Sequence, residues 1–229
     1  MKVLMLAGGF GTRLAHMSDG KPKPLVDVAG KTMLERQLTY FLDHGFDDIR
    51  LSLHHKADQI ISFCQNRWPG KFEFVVEPVP MGTGGGIKYA MADMREPFLV
   101  INVDTLSTID LPALSRKPPN TITCTYLEDA RDFGLLHINE GRVRAFLEKP
   151  KERISGYINA GWYLLRPDFA SHVSKDSFMM ETDVFPHLAK NNDLHAFIHQ
   201  GYWTDVGTQE RLEEARRVHA NNNETARNT

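Results

Sequence analysis

The chain has 229 residues, a formal net charge of -2, and 24% charged against 41% hydrophobic residues. That length carries one α/β domain with a sizeable core, and the charge balance leaves no basic footprint for nucleic acid or anionic lipid. Cys64 and Cys124 lie far apart with no C-x-x-C pair, as suits a reducing compartment.

The N-terminus enters a strand at once, without signal-peptide features, and no apolar run is long enough to span a bilayer. A soluble, cytoplasmic protein is expected. Residues 3–6, Val-Leu-Met-Leu, are fit for a buried strand. The run breaks into Ala7-Gly8-Gly9-Phe10-Gly11-Thr12-Arg13. Its glycines let the backbone approach a ligand, and successive N–H groups can cradle an anion. Arg13 adds a fork suited to phosphate oxygens. Lys21 and Lys23 follow in a loop stiffened by Pro22 and Pro24. The glycines alone would also suit an ordinary strand-to-helix turn; Arg13 and the Pro-Lys-Pro loop favour a grip on a polyphosphate. Two familiar phosphate motifs do not fit. G-x-G-x-x-G fails at Leu14, and G-x-x-x-x-G-K-[ST] fails because Leu25 stands where its first glycine belongs.

Thr32 and Glu35 have capping-box spacing. They open a helix with Leu34, Leu38, Phe41 and Leu42 on one face, stopping near Gly45. Residues 49–53 alternate as a strand, and Ala57, Ile60, Ile61 and Cys64 follow at helical spacing before Pro69. Residues 72–76 read as a strand. Gly82-Thr83-Gly84-Gly85-Gly86 leads into a helix through Ala92, and residues 98–103 form a strand that is apolar apart from Asn102. This order predicts a parallel sheet with helices on both faces. After Asp110 the pattern turns to strands at 121–127, 134–138, 143–147 and 158–165. A helix at 182–191, a strand at 194–199 and a helix at 209–219 capped by Thr208 complete it. No linker divides the halves. The expected fold is a Rossmann-like three-layer α/β sandwich with a mostly parallel central mixed sheet. It is one domain over residues 1–220, with a disordered polar tail at 221–229.

The run from Leu6 to Leu14, followed by Pro22-Lys23-Pro24-Leu25, resembles the signature of the sugar-1-phosphate nucleotidyltransferases. Later matches extend the resemblance over residues 2–217. It implies the nucleotide-diphospho-sugar transferase fold, with a nucleotide-binding part to about residue 110 and a sugar-binding part over about 111–207. By the resemblance, Leu6, Ala7, Gly8, Gly9, Gly11, Thr12, Arg13, Gly82, Thr83 and Asp104 form the nucleotide site, and Arg13 and Lys23 are catalytic.

Asp104 ends the apolar strand, where ligands of open α/β sheets collect. Taken alone it reads first as a turn cap; by the resemblance it binds Mg²⁺. Val103 stands where the family usually has glycine, which leaves the carboxylate and alters backbone access. Trp203-Thr204-Asp205-Val206-Gly207-Thr208 matches the family's W-x-D-V-G-T and makes Asp205 the second metal carboxylate. Two suffice, because Mg²⁺ fills its octahedron with water and phosphate oxygens. Glu148-Lys149-Pro150 resembles the family's E-K-P, whose lysine grips the sugar phosphate while the glutamate meets sugar hydroxyls. Asn159 and Gly134 resemble the sugar-contacting residues of its N-x-G and [FY]-G. The ten histidines contain no H-E-x-x-H and no evident metal set.

The implied reaction is in-line attack of a sugar-1-phosphate oxygen on the α-phosphorus of an NTP, giving an NDP-sugar and pyrophosphate. The nucleophile is already an anion, so charge is the problem, and Mg²⁺, Arg13, Lys23 and Lys149 address it. The partners are these small molecules; the oligomeric state stays open, a homodimer included. Residues 82–87 and 159–165 look like those of heptose 1-phosphate guanylyltransferases, although Trp162 is bulkier than expected. They point to GTP and D-glycero-D-manno-heptose 1-phosphate. Guanine's adjacent N–H donors suit a carboxylate, which accepts without donating. Glu77 is the candidate, and reads equally as a surface acid before Pro78. The alternatives are uridylyl or thymidylyl transfer to another sugar 1-phosphate, and a catalytically silent regulator that binds a nucleotide-sugar.

Overall fold

The computed structural model describes residues 1–11 and 20–227. In chain order the first elements are β1 (Val3–Leu6), β2 (Asp27–Val28), β3 (Lys31–Thr32), α1 (Met33–Asp43), β4 (Ile49–Leu53), α2 (Ala57–Arg67), β5 (Glu73–Val76), α3 (Gly82–Ala90), β6 (Phe98–Asn102), β7 (Thr105–Ser107) and α4 (Leu111–Ser115). There follow β8 (Thr121–Leu127), β9 (Gly134–Asn139), β10 (Arg142–Glu148), β11 (Gly156–Leu165), α5 (Phe185–Lys190), β12 (His195–Ile198), β13 (Trp203–Asp205) and α6 (Gln209–Arg227).

Nine strands form one mixed sheet in the order β5-β4-β1-β6-β11-β8-β12-β10-β9. The block β5-β4-β1-β6 is parallel throughout. Beyond it, β11 runs antiparallel to β6, β8 and β9, while β8 and β12 restore one parallel join. Alternation along β1 sorts the core: Val3 and Met5 face one layer, Leu4 the other. The first layer holds Leu34, Leu38 and Phe41 of α1, Ala57, Ile60 and Cys64 of α2, and Leu111 and Leu114 of α4. The second holds Ile87 and Ala90 of α3 and Phe185 and Leu188 of α5. This is the expected three-layer sandwich.

Thr32 caps α1, its hydroxyl accepting the Glu35 N–H at 3.0 Å. Only half of the capping box forms as expected, because the Glu35 carboxylate pairs with Arg67 of α2. Thr32→Ala should lower unfolding free energy by about 1 kcal/mol, read as a lower midpoint in urea denaturation with unchanged slope; no change would mean that the cap is redundant.

Three features depart from expectation. The glycine run does not lead into α3 but forms its first turns. The short ribbons β2–β3 and β7–β13, and α4 capped by the Asp110 side chain, were too short to carry a period. The tail expected from residue 221 is instead helical through Arg227, where α6 continues past His219. Among the described residues, no helix is long and apolar enough to cross a membrane.

Candidate active site

A cavity of about 330 Å³ opens at the carboxyl ends of β1, β4 and β6, where doubly wound sheets bind ligands. Leu6, Ala7, Gly8, Gly9, Lys23, Glu77, Gly82, Thr83 and Asp104 all line it, so most of the nucleotide-site residues read from the sequence meet in one place. Gly11 stands beside it: its φ is +60°, and a Cβ there would lie 2.9 Å from Lys23 Cβ. Thr12 and Arg13 lie outside the described residues.

Lys23 opens a single 3₁₀ turn, Lys23–Leu25, between Pro22 and Pro24, with Pro24 and Leu25 buried as its anchor. Its Nζ donates to Asp104 Oδ2 at 2.7 Å. Val103 does not disturb this arrangement. Its side chain sits in the first core layer and only 1% of the residue is exposed, while its N–H bonds the Leu6 carbonyl at 3.2 Å. Trp162 is likewise turned inward against Phe41, its indole N–H on Thr105 Oγ1 at 2.7 Å.

Asp205 reaches the same corner through the β7–β13 ribbon. It pairs with Thr105, and the Val206 N–H bonds the Asp104 carbonyl at 2.7 Å. Burial pushes the Asp205 carboxyl above the usual range; an ion pair with Arg211 opposes this, and the nearby Asp104 charge adds to it. Two hard carboxylates that repel each other on one ribbon fit a divalent cation such as Mg²⁺. No group of three His, Cys, Asp or Glu side chains among the described residues could hold a metal, so the rest of the shell would come from water and phosphate.

One end of the cavity is built around Glu77. Ser52 Oγ donates to Oε1 at 3.0 Å and the Met81 N–H to Oε2 at 3.3 Å. A Cβ on Gly86 would lie 2.7 Å from Oε1, so this glycine makes room for the carboxylate. Gly84 and Gly85 donate their N–H groups to the Phe178 carbonyl at 3.0 and 3.1 Å. Gly82, at φ +72°, would put a Cβ 2.5 Å from that same oxygen. The glycine run therefore seats the 176–179 segment as well as bordering the cavity.

Gly134, Glu148 and Lys149 form a second cluster, with Asn159 on β11, the strand that also pairs with β9. Glu148 pairs with Gly134 across the β9–β10 ladder, and Lys149 Nζ meets Glu148 Oε1 at 2.9 Å. Lys149 holds a left-handed backbone, φ +46°, with its N–H on the Phe133 carbonyl. Asn159 stands at a bulge in β11, its Oδ1 accepting the Gly161 N–H at 2.9 Å and its amide donating to the Tyr163 hydroxyl. These four do not line the cavity.

The link is Glu181, which the sequence reading missed. It lies on a wide helical turn, Met180–Val184, leading into α5. Thr83 Oγ1 donates to it at 2.7 Å, and the charges of Glu148 and Lys149 act on it. Burial is the largest influence and raises its pKa. The sequence held one signal: Glu181 shares a helical face with Val184, Phe185 and Leu188, all buried. An acid on an apolar face is a candidate site residue. A larger groove, about 1300 Å³, lies beyond Trp203 and Asp205. Its lining includes Asp205 itself, with Asp132, Phe133 and Arg211, and shares no residue with the cavity, so Asp104 borders the cavity and Asp205 the groove.

The sequence model of the nucleotidyl transferase family matches residues 2–222. The chain belongs to the nucleotidyl transferase family. Two curated members show how it lies within that family. A mannose-1-phosphate guanyltransferase of Emericella nidulans is 32% identical over 221 residues, and mannose-1-phosphate guanylyltransferase 1 of Arabidopsis thaliana is 32% identical over 222. Each match covers 90% of this chain and 61% of the relative, so the chain spans about three-fifths of their length. The crystal structure of HddC from Yersinia pseudotuberculosis complexed with GMP-PN is 34% identical, with a TM-score of 0.83 over 95% of this chain and 99% of that one. A putative glucose-1-phosphate thymidylyltransferase from Bacillus anthracis has a TM-score of 0.85 at 22% identity, over 96% of this chain and 95% of that one, and so shares the fold.

Proposed function

We propose that the chain transfers a guanylyl group from GTP to a manno-configured sugar 1-phosphate, releasing pyrophosphate. The observation that carries this reading is the convergence at the carboxyl ends of the parallel strands of the Gly8–Gly9 turn, the Lys23–Asp104 pair and the fixed Glu77 carboxylate, with Asp205 brought next to Asp104 by the β7–β13 ribbon. The glycine turn would receive the triphosphate through its N–H groups. Bound to Asp104 and Asp205, Mg²⁺ would neutralise phosphate charge and orient the α-phosphoryl group. Lys23 supplies a compact positive charge beside it, held by proline-stiffened backbone. Lys149 would take the sugar phosphate, and Glu148, Asn159 and Gly134 the sugar.

The base assignment rests on Glu77. Ser52 and Met81 each occupy one of its oxygens. An ionised carboxylate has about four acceptor sites, so both oxygens can still take the adjacent N1 and N2 donors of guanine. For the sugar, residues 159–165 resemble those of heptose 1-phosphate guanylyltransferases, which favours D-glycero-D-manno-heptose 1-phosphate. The mannose-1-phosphate guanylyltransferase relatives favour mannose 1-phosphate as the second reading. Glu77→Gln should shrink the GTP-over-UTP preference by on the order of tenfold to a hundredfold, the worth of one bidentate base contact. Competition between the two nucleotides measures it. An unchanged ratio, or a wild type that prefers UTP with every sugar phosphate, would contradict this role for Glu77.

A further inference from the structure

Arg211, on the first turn of α6, touches three residues in two separate parts of the chain. One arm of its guanidinium pairs with Asp205, the other with Asp132 in the loop before β9. Its Cζ also lies 5.0 Å from the centre of the Phe133 ring. Phe133 packs edge-on against Trp203 with centroids 5.5 Å apart. Its carbonyl accepts the Lys149 N–H at 3.1 Å, and Gly134 beside it pairs with Glu148. The loop that Arg211 holds therefore leads into the sugar-side cluster, and the carboxylate that it holds is the one that the β7–β13 ribbon brings next to Asp104.

An exposed ion pair would contribute little. This one is largely sheltered on the inner side: the Arg211 side chain is 22% exposed and that of Asp205 15%, while Asp132 is 57% exposed. A planar fork with two partners on different elements also fixes orientation, which a lysine cannot do.

We infer that Arg211 is a positioning residue coupling the Asp205 carboxylate to the loop that carries Phe133 and Gly134. On the transferase reading above, this tie sets the sugar-side wall relative to the corner where the phosphates meet. Among the described residues, Asp132 makes no hydrogen bond or ion pair with Asp205 itself, so its tie to that carboxylate runs through the guanidinium.

The test is a cycle over Asp132→Asn, Arg211→Lys and the double variant. Each is read by hydrogen–deuterium exchange of residues 130–134 and 203–206, and by kinetics with the NTP and sugar 1-phosphate varied separately. Asp132→Asn should raise exchange at 203–206, on the far side of the guanidinium. It should raise KM for the sugar 1-phosphate about tenfold, the loss of one charge-assisted hydrogen bond, with KM for the NTP within about twofold. Asp132→Glu should restore both, because its carboxylate still reaches the fork. The double variant should be no worse than Arg211→Lys alone. Additive effects of the two single changes, or exchange altered only within the substituted segment, would overturn the coupling. An inactive wild type would remove the transferase reading instead, and the exchange cycle would then decide the coupling by itself.

Discussion

Asp104→Asn and Asp205→Asn should each lower kcat by on the order of 10³ at saturating Mg²⁺, because each removes part of the charge stabilisation worth several kcal/mol in the transition state. Folding should survive both changes. Asp104 is half-exposed, with its backbone carbonyl tied to the Val206 N–H. Asp205 is a largely sheltered carboxylate whose charge burial already disfavours, so an isosteric amide removes a partly desolvated charge. The two variants should differ in one respect. Asp104→Asn frees Lys23, whereas Asp205→Asn leaves Arg211 with Asp132 as its remaining ion-pair partner. Steady-state kinetics over a Mg²⁺ series, with thermal melts as the folding control, checks both. Turnover near wild type in either variant would remove that aspartate from the cation site.

Lys23→Ala should cost roughly 10²–10³ in kcat with a smaller change in either KM, as expected for the loss of one preorganised electrostatic stabiliser. The reason is rigidity. Lys23 leaves a turn anchored by buried Pro24 and Leu25, and its stem packs where Gly11 has no side chain. Lys23→Arg should recover little, since a planar fork does not reproduce a compact point charge set 2.7 Å from Asp104 Oδ2. A raised KM for the NTP with unchanged kcat would make Lys23 a ground-state binding residue.

Much of this was legible in the sequence, for reasons that vary by residue. The parallel strands declared themselves because residues 3–6 and 98–101 are apolar runs and residues 49–53 alternate. The lysine loop was legible because proline fixes its own backbone whatever surrounds it. Glu77 was singled out by matching acceptor chemistry to a base edge; the structure puts it in the cavity wall, and its packing against Gly86 adds a constraint that no local pattern carries. Other features depend on pairs distant in the chain. Glu181 is joined to Thr83 across 98 positions and Arg211 to Asp132 across 79, so neither partner points to the other in sequence. The ribbon that brings Asp205 to Asp104 has strands of three residues, too short for alternation to register. Helix continuation through Asn221 ran against propensity, since asparagine is a weak helix former. Val103 and Trp162 looked like departures at the site because residue type alone does not say which way a side chain turns; both face the core.

The most direct measurement supplies GTP labelled at the α-phosphorus together with a manno-configured sugar 1-phosphate and Mg²⁺, and follows the label. Guanylyl transfer predicts that all of the consumed label appears in a GDP-sugar, matched one for one by unlabelled pyrophosphate, with no consumption when the sugar 1-phosphate is left out. Label released as GMP, or GTP consumed at the same rate without the sugar 1-phosphate, would contradict it.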